Sequence, residues 1–256
     1  LGIFASDAIL NDMTLLGVGS VAGLAGGNTT LGRIGSGFIY ADWKPQIAYT
    51  TPNMNGFQAT VGITKAFNTS SVNNNADHAD GSYTYSLVNR GSNANVAFEG
   101  KASYAFNGSG VNGKVWVSGL AQKIVGVSAE DNYAYAGDIG ANVNFAGFGL
   151  TGYYYAGNGI GTTGQMLNGY GRTTLTSISA RDSDGGYIQA TYVLPTKTKV
   201  GISWGESHLD LGDGETIANA TNLVRVNSMT TLGIYHPLTK HLNVVAEYSN
   251  VQSESL

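Results

Sequence analysis

Ser203 offers the most specific chemical lead in the chain. It sits inside "GISWG" (201–205), with His208 and Asp210 close behind. That pattern matches a nucleophile elbow, in which a strand turns sharply into a helix and exposes the serine hydroxyl. The next residues, "ESHLDLGDGE", show no 3.6-residue apolar period, so no helix is expected there. Ser203 instead alternates with Ile202 and Trp204, as one face of a strand does. "GIGTTG" (159–164) matches the glycine pattern of a dinucleotide site and also comes after a strand. Such a site needs a helix N-terminus to hold the pyrophosphate. Here Gly169 and Gly171 interrupt the stretch where that helix would run, and the segment reads as a long loop. "DLGDGE" (210–215) is acidic and Gly-rich but lacks full calcium-loop spacing. It reads as a solvated loop, with weak divalent-cation binding as the other reading. His78, His208, His236 and His241 are scattered, and there is no Cys for a disulfide or a thiolate site. The expectation is no catalytic set, no cofactor and no metal.

Composition narrows the class. Charged residues make up 12% of the 256, about half the usual globular share. Gly reaches 37 residues and Pro only 4. The net charge of −4 leaves no basic footprint for nucleic acid. No uncharged apolar run approaches the roughly 18 residues a membrane helix needs, and no signal-peptide pattern opens the chain. Mean hydropathy is −0.05, which a membrane barrel can show because alternation hides its apolar face.

The elements that must carry any site are strands. "SDAILNDM" (6–13), with Ser6 as a cap, is the best helical candidate. Elsewhere period two dominates. Ile47 and Tyr49 oppose Gln46 and Ala48. Val96, Phe98, Gly100, Ala102 and Tyr104 oppose Glu99, Lys101 and Ser103. Tyr133, Tyr135, Ile139 and Val143 oppose Asp138, Asn142 and Asn144, while Leu242, Val244 and Tyr248 oppose Glu247. Ten strands are expected in all, at 46–51, 57–63, 96–106, 114–123, 133–145, 149–155, 186–194, 199–206, 226–236 and 242–248. Short connections ("PNMNG", "NGSGVNG", "AGFG", "PTKT", "PLTK") strictly take turns with long ones (68–94, 124–131, 157–184, 207–224). An up-and-down antiparallel sheet with all long loops at one end has this order. The polar set fits a water-filled interior, and aromatics near strand ends fit interfacial girdles. With the apolar face in lipid, no internal core is expected, and backbone pairing requires closure.

"GRIGSGFIYADWKPQIAYTTPNMNGF" (32–57) resembles the part of Gram-negative general porins where the constriction loop ends and a strand leads into a tight turn. "RDSDGGYIQATYVLPTKTKVGISWG" (181–205) and "TTLGIYHPLTKHLNVVAEYS" (230–249) resemble late hairpins of that family. The resemblance covers nearly the whole chain. It implies an all-β transmembrane barrel, of 16 strands and trimeric in the family, with about ten strands here and the ends incomplete. It implies one domain over 1–256, with 1–36 as the constriction loop and 37–256 as strands and loops. Asp7 and Asp12 would then be the acidic side of the constriction, with Arg33, Lys44, Glu99 and Lys101 as opposing charges on the wall. Gln46, Asp138, Asn142 and Glu247 complete the expected pore lining. The implied partners are a homotrimer, outer-membrane lipid and lipopolysaccharide, and small hydrophilic solutes and ions. The implied function is passive diffusion across a Gram-negative outer membrane. An outer-membrane barrel hydrolase using Ser203 and His208, or a surface β-adhesin, is the alternative.

Overall fold

The computed structural model describes residues 3–4, 32–41, 44–67, 92–124, 132–172, 178–216 and 223–255. The helix expected over 6–13 lies outside them. The described strands are β1 (Gln46–Thr50), β2 (Phe57–Phe67), β3 (Ser92–Gly108), β4 (Val111–Ile124), β5 (Asn132–Phe145), β6 (Phe148–Asn158), β7 (Tyr170–Arg172), β8 (Ile178–Ala180), β9 (Asp182–Val193), β10 (Lys199–Leu209), β11 (Val224–Thr239) and β12 (Leu242–Ser255). Ten of them form one antiparallel sheet in the order β1-β2-β3-β4-β5-β6-β9-β10-β11-β12. The ten expected strands are all there. β7 and β8 pair with each other inside a connection expected to be plain loop.

Turn chemistry sets the register. Asn55 and Gly56 both have left-handed φ, 54° and 97°. Met54 and Phe57 exchange hydrogen bonds of 2.8 and 3.1 Å across them. This primed turn twists with the strands. Ala146 and Gly147 (φ 46° and 84°) repeat it between β5 and β6. Two connections are tighter than their sequence suggests. β3 and β4 are joined by Ser109 and Gly110 alone, and Pro237 lies within β11, opposite Asn243. A register shift lies between Pro237 and Thr239, the kind of irregularity that tolerates a residue with no N–H to donate.

The faces are inverted relative to a soluble sheet. Ile47, Val61, Phe98, Ile139, Ile188, Ile202 and Leu232 all point outward and are at least half exposed. In water this continuous apolar surface would be far larger than any ordinary patch. In lipid it is the stable arrangement, and every strand between the edges β1 and β12 is hydrogen-bonded on both sides. The polar parity faces inward.

The interior corrects the expectation that no core is needed. Ile34, Phe38 and Ile39 pack with Ile160 and Met166 and with inward Trp116, Leu120, Tyr153 and Tyr187 of the wall. Segments 32–41 and 159–169 thus lie within the concave side and carry an apolar cluster against it. Its members come from stretches with no period of their own, so alternation could not reveal it.

Candidate functional site

The inner face gathers nearly all the polar side chains that pack at depth. Residues 32–41 are stitched to it by atoms from several strands. Arg33 Nη2 donates to Ser203 Oγ of β10, and the guanidinium lies 5.2 Å from the Tyr187 ring centroid of β9. Gly37 N donates to Ser207 Oγ at 2.8 Å, and Tyr155 Oη donates to the same oxygen at 3.1 Å. Asn227 Nδ2 of β11 reaches Gly35 O at 2.9 Å and Ser36 Oγ at 2.8 Å. The wall is bare where the segment crosses. A Cβ on Gly205 would come 2.6 Å from both Arg33 Nη1 and Ser36 O. We therefore expect Gly205→Val to lift the segment. Limited trypsin digestion should cut after Arg33 faster in that variant than in the parent, while outward Ile202→Val changes nothing.

On the other flank Glu99 of β3 faces inward and is 4% exposed. It pairs with Lys44 Nζ and accepts from Ile3 N at 2.6 Å, and Lys44 also donates to Gln165 Oε1 at 2.9 Å. Burial leaves these two charges facing each other rather than open water. Asp138 of β5 accepts from Ser118 N at 3.0 Å and from Tyr153 Oη at 3.2 Å. Lys101 is half-buried on the inner face, opposite Ser118. Gln46 lies at the β1 edge, opposite Thr64. Glu247 of β12 accepts from Tyr235 Oη.

Of the residues singled out by type and parity, Arg33, Lys44, Gln46, Glu99, Lys101, Asp138, Asn142 and Glu247 all fall on this concave side. Arg33 sits on the inward segment rather than on the wall. Asp7 and Asp12 lie outside the described residues.

Two further groupings match no motif in the sequence. At the short-turn end Asn144 Nδ2 donates to Asn142 Oδ1 at 2.7 Å, and Asn142 Nδ2 to Thr151 Oγ1 at 2.8 Å. These side chains border a cavity of about 550 Å3 with Lys114, Gln189, Thr191 and Lys199. Inward parity was the available signal for Lys114 and Lys199. At the long-loop end Arg181 forms a two-pronged pair with Glu215, one prong 2.8 Å long, and donates to Asn168 O at 2.9 Å. Nothing local in either segment announces that pairing.

The motifs that suggested chemistry are placed otherwise. Ser203 points inward to Arg33, whereas His208 points outward between Asp184 (3.4 Å) and Glu206 (2.8 Å), so the two share no site. Gly159 and Gly161 (φ 79° and 72°) turn a loop, and no helix begins there. The Glu215 carboxylate of "DLGDGE" is taken by Arg181 and Gly212 N. Among the described residues no group of three or more His, Asp or Glu is placed to hold a metal ion.

No curated protein matches the chain. A solved structure, described as the outer membrane channel DcaP of Acinetobacter baumannii, shares the fold with a TM-score of 0.63 at 16% identity. The match covers 87% of this chain and 59% of that one, so the chain spans well under two thirds of that channel's length. Residues 3–255 match the family model described as Gram-negative porin. An up-and-down wall with its apolar side chains outside, and that match along nearly its whole length, establish that the chain belongs to the Gram-negative porin family.

Proposed function

We propose that the chain forms the wall of a water-filled channel for passive diffusion of ions and small hydrophilic solutes. The observation that carries this reading is the inversion of faces. Ile139, Ile188 and Leu232 stand outside, while Lys101 of β3 and Asp138 and Asn142 of β5 stand inside. Family membership puts the chain in the outer membrane. Residues 1–36 act as the constriction loop, a role supported by the course of 32–36 inside the wall. Asp7 and Asp12 form its acidic side. Arg33, Lys44, Gln46, Glu99, Lys101, Asp138, Asn142 and Glu247 line the passage or hold its lining in place. Charges of both signs fixed around a narrow aqueous passage create a transverse field that sorts small polar solutes. The channel works without catalysis, as the opposed directions of Ser203 and His208 support. Acyl chains cover the outer face, lipopolysaccharide meets its outer-leaflet rim, and three copies associate side by side.

Single-channel recording in a planar bilayer tests this. The expected result is ohmic conductance arriving in three equal steps per insertion. A protein that inserts and leaves the bilayer insulating would overturn the channel. Single unpaired steps would overturn the trimer alone.

A further inference from the structure

Charge is sorted along the wall by strand end. Five short turns, at 51–56, 109–110, 146–147, 194–198 and 240–241, lie at one end of the sheet. All five are described, together with the strand residues next to them. Within five residues of any of these turns the chain carries four cations, Lys114, Lys197, Lys199 and Lys240, and no Asp or Glu. The whole chain has 13 Lys and Arg against 17 Asp and Glu, so nine cations face 17 anions everywhere else. A chain of net charge −4 thus has one end at +4 and a remainder at −8 at pH 7.

The four lysines stand in two tiers. Lys114 and Lys199 are half-buried on the inner face, where they border the cavity of about 550 Å3. Lys199 Nζ lies 4.7 Å from the Tyr235 ring centroid, which holds it on the wall. Lys197 (φ 65°) and Lys240 are exposed on the turns themselves. The other polar side chains around the cavity are Asn, Gln and Thr, which bond to one another and to the backbone and leave the sign unchanged. Among the described residues the first inward carboxylates are Glu247, six residues past its turn, and Asp138, eight from its own. Each accepts from a tyrosine, Tyr235 and Tyr153. A neutral hydrogen-bond partner leaves a lysine its charge, so the field of this end needs no unoccupied side chain.

Like charges around a water-filled mouth with low-dielectric walls focus their field into that water. We propose that the short-turn mouth is a cationic vestibule that concentrates small anions, and that the negative charge beyond it makes the channel conduct unequally in its two directions. Anions driven in at the positive mouth and cations driven in at the other meet inside and carry a large current. The opposite voltage draws both out and depletes the passage. Current is therefore larger when the long-loop side is positive. This polarity runs along the axis and is separate from a field across the constriction. The proposal rests on the channel reading for its current, whereas the field is read at rest, without conduction.

The chain has no Cys, so Asn112→Cys places a single thiol on the cavity wall, at an exposed position two residues before Lys114. Its rates with an anionic and a cationic methanethiosulfonate are measured on the intact protein in nonionic detergent. Their ratio, divided by that of a free thiol, cancels the thiol's own ionisation and reads the local potential. The expected ratio favours the anionic reagent by about tenfold in roughly 10 mM salt and falls to about one in 1 M salt, where the field is screened. Lys114→Gln, Lys197→Asn, Lys199→Gln and Lys240→Gln combined should bring it within about twofold of the free thiol. The exposed pair Lys197→Asn and Lys240→Gln should lower it by about half and serves where the fourfold variant fails to fold. A parent ratio of one or less, or an undiminished ratio in the folded variants, would overturn the vestibule. Single insertions in about 0.1 M potassium chloride should pass about twofold more current with the long-loop side positive. One-sided block of Lys197→Cys by a polymer-linked maleimide too large for the pore assigns the sides. Equal or reversed asymmetry would overturn the directional claim. A protein that conducts with a ratio of one keeps the channel and loses the vestibule. One that shows the ratio and stays insulating keeps the vestibule and loses the channel.

Discussion

Ile139→Arg destabilises the protein in liposomes by about 2–4 kcal/mol, the depth-dependent cost of a cation on the lipid face of a barrel near the bilayer centre. Ile139 is 62% exposed and lies in the middle of β5, between Val117 of β4 and Tyr154 of β6. No inward neighbour can take its charge, because its side chain points away from Asp138. Gln58→Lys is the matched control. Gln58 lies on the inner face of β2, opposite Ser103 of β3, where water receives the ammonium group. Urea unfolding of the reconstituted protein reads both. A small and equal change in the two would mean that Ile139 meets neither lipid nor an apolar partner, and the inversion of faces would fall with it.

Glu215→Ala should release the long-loop cluster. The Arg181 and Glu215 side chains are 2% and 0% exposed, so removing the carboxylate strands a buried guanidinium. Breaking such a pair from one side costs about 3–5 kcal/mol. The loss is local, because Arg181 holds Asn168 and its backbone N–H donates to Gly169 O. Hydrogen exchange should therefore rise in residues 159–171 and 210–216 and stay unchanged in β4 and β5. The Arg181→Ala, Glu215→Ala double variant should lose less than the two single losses combined, since neither charge is then left alone. Faster exchange spread evenly over the sheet would refute a local clasp.

The wall was readable from the chain because its signal is carried by each strand alone. The parity of Val96, Phe98 and Tyr104 sends Glu99 inward, and it is inward. Strand ends were less readable. β3 and β4 continue through Asn107 and Asn112, where asparagine and glycine blur the alternation, to a turn of two residues. The packing inside was hidden for a different reason. Arg33 meets Ser203, Lys44 meets Glu99 and Arg181 meets Glu215 only after the sheet has curled. Ile34, Phe38, Ile160 and Met166 keep to no period, so nothing in their spacing says which surface they cover. Parity marked Glu99, and the porin resemblance Lys44, as lining residues, whereas their proximity makes them each other's counter-ion.

The stitches along residues 32–41 also order events during assembly. Arg33 and Ser203 are 170 positions apart, as are Gly37 and Ser207, and Gly35 and Asn227 are 192 apart. Contacts of such separation close last, because the chain entropy they cost is recovered only once the intervening pairings exist. β9, β10 and β11 must stand in register before the segment has anything to grip. Until then Phe38 and Ile39 lack the wall they pack on, so a chain whose β9 and β10 are not yet in register leaves both side chains uncovered.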